Sequence, residues 1–294
     1  MRLSTFFAAL AIAGCGGNTP QSMDPAPPAH GFQIKTTPVM LQPGDEKYMC
    51  FTQTLNEPAD VAVIKFDSVT TPQVHHFEVF QAVSPEQDGL FDCSQQLIKL
   101  TWLPLFGGGV NAGGLTVPDG AGFKLPKNAQ LLVQLHLLNA TPNATSTHVV
   151  VNGDYAADAT TITPAGIFAL GSMTINLPPG ATNMKIDAGC ALPKDLNVFA
   201  VQPHMHLLGT KINLSTGTSQ ATASQVYARD PWVFGAQPID NFVMPLKQGQ
   251  YVSTECEYDN TTDQTVTYGE STKNEMCFFV LFYTPFDHLD GCIQ

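Results

Sequence analysis

The chain is written as short apolar runs broken by turn-forming residues, and this pattern narrows its possible folds more than any other feature. "KYMCFTQTL", "DVAVIKFDSV", "QVHHFEVFQAV" and "AQLLVQLHLLN" form a first block that closes near "HVVVNGDYA". "GIFALGSMTINLPPG", "LNVFAVQPHMHLLGTKINL", "QGQYVSTECEYDN" and "MCFFVLFYTPF" form a second. Val, Thr and Phe are frequent in these runs, and such side chains suit a pleated, half-buried surface. No long amphipathic helix can be read. With 24 glycines and 22 prolines to supply turns, the expected fold class is all-β, two tandem antiparallel β-sandwich domains. The small, polar segment "AADATTITP" reads as a linker around residues 156–163. The domains are therefore expected at 32–155 and 163–294. The run "GGGVNAGG" lacks the Lys-Ser/Thr of a phosphate loop and reads as a flexible loop.

Charge excludes one class of partner. Only 13% of the 294 residues are charged and the net charge is −12. Nucleic acid is not expected as a partner, because its phosphates require basic patches. An acidic surface otherwise marks solubility and names no ligand.

The N-terminus points to export. "MRLSTFFAALAIAGCGG" has one early positive charge, Arg2, and then an apolar stretch too short to cross a bilayer. Residues 1–14 read as a signal peptide. Its ending, Ile12-Ala13-Gly14-Cys15, resembles the lipobox of bacterial lipoproteins, where the cysteine is lipidated and becomes the new N-terminus. An incidental cysteine after an ordinary signal peptide is the plainer alternative. The following "GGNTPQSMDPAPPAHG" has no apolar periodicity and reads as a flexible tether over 15–31. The expected location is the bacterial cell envelope, with membrane attachment by the lipid anchor only. In a Gram-negative cell that is the periplasmic or surface face of the outer membrane.

Setting Cys15 aside leaves six cysteines, an even number in an exported chain, and hence three expected disulfides. None lies in a CxxC pair, which argues against a zinc ribbon. The first block holds only Cys50 and Cys93, which should pair. Cys190, Cys256, Cys277 and Cys292 leave three pairings open.

Five of the eight histidines fall in or beside strand-like runs: His75, His76, His136, His204 and His206. One histidine in an apolar strand is ordinarily a hydrogen-bonded core residue. Five impose a desolvation cost five times over unless something binds them. His204 and His206, at i and i+2, point to one side of a strand and can hold one metal. His75 and His76 are adjacent and face opposite ways on a regular strand. They can share a metal only where the strand is twisted, bulged or ending. His136 on another strand could complete their site. Met276 precedes Cys277, so a strand there would cross-link on one side and offer a thioether on the other. A thioether is a soft ligand that favours Cu(I), whereas imidazole suits both copper states, so two histidines and a methionine suggest copper that cycles. Alone, Met276 reads as a gap-filling core residue.

In order, "VHHFEVF", "LLVQLHLLN", "HMHLLG" and "GESTKNEMC" resemble the signature segments of the copper type II, ascorbate-dependent monooxygenases, which include peptidylglycine α-hydroxylating monooxygenase and dopamine β-monooxygenase. The resemblance covers about Gln33 to Cys292. It implies two jelly-roll-like sandwiches with two copper ions facing each other across a solvent-filled cleft. It assigns His75, His76 and His136 to the electron-donating copper, and His204, His206 and Met276 to the oxygen-activating one. It also implies the pairings Cys256–Cys277 and Cys190–Cys292. The implied activity is hydroxylation of an activated C–H bond of a small-molecule substrate by O2, with ascorbate or another one-electron reductant, in a monomer. Two positions depart from the peptide-hydroxylating pattern. Gln202 stands where that branch has an arginine that holds the substrate carboxylate, and Val280 where it has a tyrosine. Gln202 is thus a candidate for the substrate pocket, and no amine-binding carboxylate is apparent. Two other readings stay open: a copper-binding or electron-transfer lipoprotein without hydroxylation, and a structural sandwich with incidental histidines.

Overall fold

The computed structural model describes residues 24–109 and 113–294. The segment expected to be a signal peptide, and Cys15, lie outside the described residues. The tether expected to run to residue 31 is docked from Asp24 onward. The Asp24 carboxylate meets Lys35 and accepts from His148 Nε2 at 2.9 Å, while the carbonyls of Pro25 and Ala26 accept from the side chains of Gln33 and Asn152. An acidic residue with two nearby donors holds this polar stretch against the body, although it has no apolar pattern of its own.

The strands fall into two groups. In the first, a five-stranded sheet runs Gly89–Asp92, Glu46–Thr54, Gln130–Leu138, Val74–Ala82, Trp102–Gly109. It packs on a second sheet built from Gly31–Lys35, Val149–Tyr155, Val61–Thr70, Ala121–Leu125 and Thr163–Pro164, with Leu115–Thr116 alongside. Alternation fixes the faces: Leu131, Val133, Leu135 and Leu137 point into the shared core with Phe66, Phe77 and Phe123. In the second group a five-stranded sheet runs Asp240–Leu246, Leu196–His204, Cys277–Thr284, Gly166–Ser172, Asp290–Ile293, and packs on Met184–Ala191, Tyr251–Tyr258, Gly209–Gly217, Ser224–Arg229. The described residues contain no α-helix, and nearly every pairing is antiparallel. Thr163–Pro164 still pairs with the first group, so its sheet extends two residues past the start expected for the second block.

Each group closes a loop with the same device. The Asn139 side chain donates to the carbonyls of Leu41, Gln42 and Asn143, and accepts from Thr141 N and Oγ1 at 3.0 and 2.7 Å. Asn260 donates to Leu177, Pro178 and Gln264, and accepts from Thr262 N and Oγ1 at the same distances. Both asparagines are buried, where an amide survives only with its hydrogen bonds made. No short repeat was apparent in the sequence. The shared element is an Asn-x-Thr after a strand, which side-chain pattern alone does not flag.

Three disulfides join Cys50 to Cys93, Cys190 to Cys292 and Cys256 to Cys277. The last one ties the strand that begins just after Met276 to the Tyr251–Tyr258 strand of the opposite sheet.

Two expectations need correction. The glycine run is not simply a flexible loop: Gly107 to Gly109 belong to the strand Trp102–Gly109, paired with His76 to Glu78. A Cβ at Gly107 would stand 3.1 Å from the Phe77 carbonyl oxygen, and one at Gly109 would stand 3.3 Å from that of His75, so glycine permits a close approach to the histidine strand. Nor do the two groups face each other across a solvent-filled cleft. The buried cluster of the first sandwich continues into Ile167, Phe199, Ala200 and Phe282 of the second. Burying those rings draws the groups into contact.

Candidate metal centres

A β-bulge resolves the adjacency of His75 and His76. Along the Val74–Ala82 strand, His76 is opposite His136 but Val74 is opposite Leu137, so His75 is the extra residue. The bulge turns its side chain back toward that of its neighbour. His75 Nδ1 then lies 3.1 Å from His76 Nδ1 and 3.2 Å from His136 Nδ1. Nitrogens each about 2.0–2.1 Å from one ion stand about 3 Å apart when the angle at the ion is near a right angle. The three ring nitrogens therefore fit a shared ion.

Neighbours fix which nitrogen of His136 is free. Its Nε2 donates to Glu46 Oε1 at 2.8 Å, which leaves a lone pair on Nδ1. Its ring stacks on Tyr48 at 4.3 Å between centroids, 12° from parallel. The phenol of Tyr48 donates to the carbonyl of Glu270 at 2.7 Å.

The second group uses the opposite ring atoms. His204 ends the Leu196–His204 strand, and His206 lies just beyond it in the turn toward Gly209. The two therefore converge without sharing a regular strand, and their ring centroids are 5.2 Å apart. His204 Nδ1 meets Gln237 Oε1 at 2.7 Å, and His206 Nδ1 donates to the Asn274 carbonyl at 3.0 Å. That leaves Nε2 on each. The Nε2 atom of His206 is buried and has no partner among the described residues. A buried ring nitrogen with its lone pair unspent fits a metal ion.

Met276 is buried beside this turn, and Glu275 holds the two together. The Glu275 carboxylate is fully buried. It accepts from His206 N at 2.9 Å, Leu208 N at 2.6 Å and Met276 N at 3.3 Å. Burial pushes its pKa up to about 7 against the pull of these three amide donors. Burial likewise lowers the pKa of every one of the five histidines, to about 4 for His75 and about 3 for His204. At neutral pH the rings are uncharged, the form that binds metal.

A loop between Ser224–Arg229 and Asp240–Leu246 covers both groups. Trp232 Nε1 donates to the His206 carbonyl at 3.2 Å. The ring of Phe234 lies 4.5 Å from that of His75 and 6.4 Å from that of His206. The groups nearly touch, with His76 and His204 centroids 5.7 Å apart. Gln202 and Val280 are half-buried register partners on adjoining strands, two residues along from His204 and Phe278.

Residues 163–294 match the family model described as the copper type II ascorbate-dependent monooxygenase C-terminal domain. The second group of strands is therefore similar to the C-terminal domain of the copper type II, ascorbate-dependent monooxygenases. It is 23% identical over 244 residues to a human protein named putative DBH-like monooxygenase protein 2, with 75% of this chain and 48% of that protein covered. To mouse DBH-like monooxygenase protein 1 it is 26% identical over 259 residues, covering 74% and 40%. To tyramine beta-hydroxylase of Caenorhabditis briggsae it is 24% identical over 254 residues, covering 78% and 43%. The chain spans less than half the length of each of these relatives. Copper, with ascorbate, is the cofactor class of the monooxygenase family.

The residues that support these histidines were less visible in the sequence than the histidines themselves. Glu46, Tyr48, Phe234, Gln237 and Glu275 were not singled out. Glu275 left one trace, a carboxylate directly before a buried apolar strand in a chain poor in charge. Trp232 left another, as one of only two tryptophans.

Proposed function

We propose that the protein is a copper-dependent monooxygenase that hydroxylates an activated C–H bond of a small, largely apolar organic substrate. The overall change is R–H + O2 + two electrons + two protons giving R–OH + H2O, the electrons supplied singly by ascorbate or another one-electron reductant. The observation that carries this reading is the convergence of two histidine groups, each with free ring nitrogens, in a chain similar to this family. His75, His76 and His136 would hold one copper through Nδ1. His204 and His206 would hold the other through Nε2, with Met276 as the third ligand. Copper supplies single-electron transfer and activation of O2 there.

The chain's own residues do the rest. Glu46 and Tyr48 fix the tautomer and plane of His136, and Gln237 and the Asn274 carbonyl do the same for His204 and His206. Phe234 shields His75 from water. Gln202 and Val280 give the substrate side an uncharged lining. A neutral amide cannot provide the charge-assisted, two-point grip of a guanidinium on a carboxylate, which favours neutral or aminated substrates over glycine-ended peptides.

The test is turnover of copper-loaded protein with ascorbate and 18O-labelled O2, using neutral aromatics, phenethylamines and glycine-extended peptides. Mass spectrometry should find one labelled oxygen in a member of the first two classes. Efficient hydroxylation of the glycine peptides would overturn the substrate reading. Two bound coppers and rapid reduction without any product would instead favour an electron-transfer lipoprotein.

The body is read as two domains, 32–155 and 163–294, acting as a monomer held to the bacterial envelope by lipid on Cys15. Support comes from the lipobox-like Ile12-Ala13-Gly14-Cys15. Cys15→Ser should move the protein from the membrane to the soluble fraction of expressing cells. Unchanged fractionation would count against the anchor.

A further inference from the structure

One loop reaches a histidine of each metal group, His206 directly and His136 through Glu46 and Tyr48. It joins the strands Val266–Thr267 and Cys277–Thr284. At one end, Thr272 N and Oγ1 both approach Glu46 Oε1 at 3.3 Å, the oxygen that also accepts from His136 Nε2. There too the Glu270 carbonyl accepts from Tyr48, whose ring stacks on His136. At the other end, the Asn274 carbonyl accepts from His206 Nδ1, and Glu275 accepts from the backbone of His206 and Leu208. The next residue is Met276.

We propose that this loop couples the two metal groups, so that filling the His75, His76 and His136 group raises metal affinity at His204, His206 and Met276. Glu46 and Tyr48 act as positioning residues. The proposal rests on reading both groups as copper sites.

The physical chain is short. Glu46 already holds the His136 proton on Nε2, which turns the free Nδ1 toward His75 and His76. An ion bound at Nδ1 anchors the ring and so holds its Nε2 hydrogen bond to Glu46 in place. Glu46 is then fixed, with its oxygen presented to Thr272. The loop's freedom is spent at this step, so less remains to be lost when His206 and Met276 take up a second ion. Ordering paid for by one ligand and used by another is positive coupling, and it is reciprocal. Coupling of this kind is typically between 5- and 150-fold, and about tenfold is expected for so few bonds.

The experiment measures Cu(I) affinity of the full chain by chelator competition. The second site is identified by its sulfur scattering in X-ray absorption, since only that group contains a methionine. His76→Ala, which removes a ligand of the first group, should weaken the second site about tenfold. Tyr48→Phe with Thr272→Val keeps every ligand and the ring stacking but removes two of the three hydrogen bonds to the loop, leaving only that from Thr272 N to Glu46. This variant should also weaken the second site several-fold, leave the first within about twofold, and make a further His76→Ala change nearly silent at the second site. Thr272→Ser in place of Thr272→Val should restore much of the coupling. A second site of wild-type affinity in the double variant, or an undiminished effect of His76→Ala within it, would overturn the proposal. Equal weakening of both sites would also overturn it, as a purely structural effect. The readout is metal binding alone, so failure here leaves the hydroxylation reading standing, and failure of hydroxylation leaves the coupling testable.

Discussion

Glu275→Ala is expected to cost about 3–5 kcal/mol of stability and to abolish tight metal binding at the second group. The side chain is fully buried and is the acceptor for three backbone amides. Alanine leaves those donors unsatisfied, at about 1–3 kcal/mol each before any water enters the hole. The same amides belong to His206, Leu208 and Met276, so the turn carrying one ligand loses its tie to the strand carrying another. Glu275→Gln should be milder in packing but still harmful, because its amide NH2 would face backbone donors. Denaturant unfolding of the metal-free proteins, with metal titration alongside, provides the check. A loss below about 1 kcal/mol with both metals bound at wild-type affinity would show that Glu275 does not hold the turn.

The metal-free protein should lose stability steeply as the pH falls from about 6.5 toward 4. The five histidines have folded pKa values below 6.5, near 4 for His75 and near 3 for His204. Unfolding lets each ring take up a proton at its ordinary pKa. The stability they contribute is therefore whole above about 6.5 and drains as the pH drops toward the folded values, at about 1.4 kcal/mol per pH unit for each proton taken up. Glu78, Glu270 and Glu275 act in the opposite sense, since burial raises their pKa and their stabilising effect grows on acidification. Five groups against three leaves a net loss. Urea midpoints at pH 7.5, 6.5 and 5.5 measure it. Bound copper should raise the midpoint at pH 7.5, with a gain that shrinks on acidification as protons compete for the ring nitrogens. A midpoint independent of pH would mean the rings are not buried neutral.

What was legible in the sequence followed from periodicity and residue chemistry. The apolar runs "QLLVQLHLL" and "NVFAVQPH" read as strands, and both are strands buried along nearly their whole length. A site shared by the adjacent His75 and His76 required a strand that is twisted, bulged or ending, and the register slips there by one residue. The i, i+2 argument for His204 and His206 was right about convergence but not about its cause, because the strand ends at His204 and the turn carries His206. The supporting residues were harder to see. Phe234 and Gln237 lie in a loop with no period, and what places them is a tertiary contact with histidines distant in sequence. The docking of the two groups was also hidden. Phe199 and Phe282 read as ordinary strand residues, and nothing in the pattern says that they join the neighbouring sandwich's core rather than their own.

The most direct test of the account is X-ray absorption, with metal analysis, on the reduced, copper-loaded protein and on Met276→Ile. Wild type should bind two coppers per chain, with histidine nitrogen scattering and a sulfur contribution consistent with one thioether shared between the two ions. Met276→Ile should lose the sulfur signal and weaken one site, while Cu(II) at His75, His76 and His136 stays nearly intact. One copper per chain, or reduced wild-type protein with no sulfur scattering, would contradict the two-centre account.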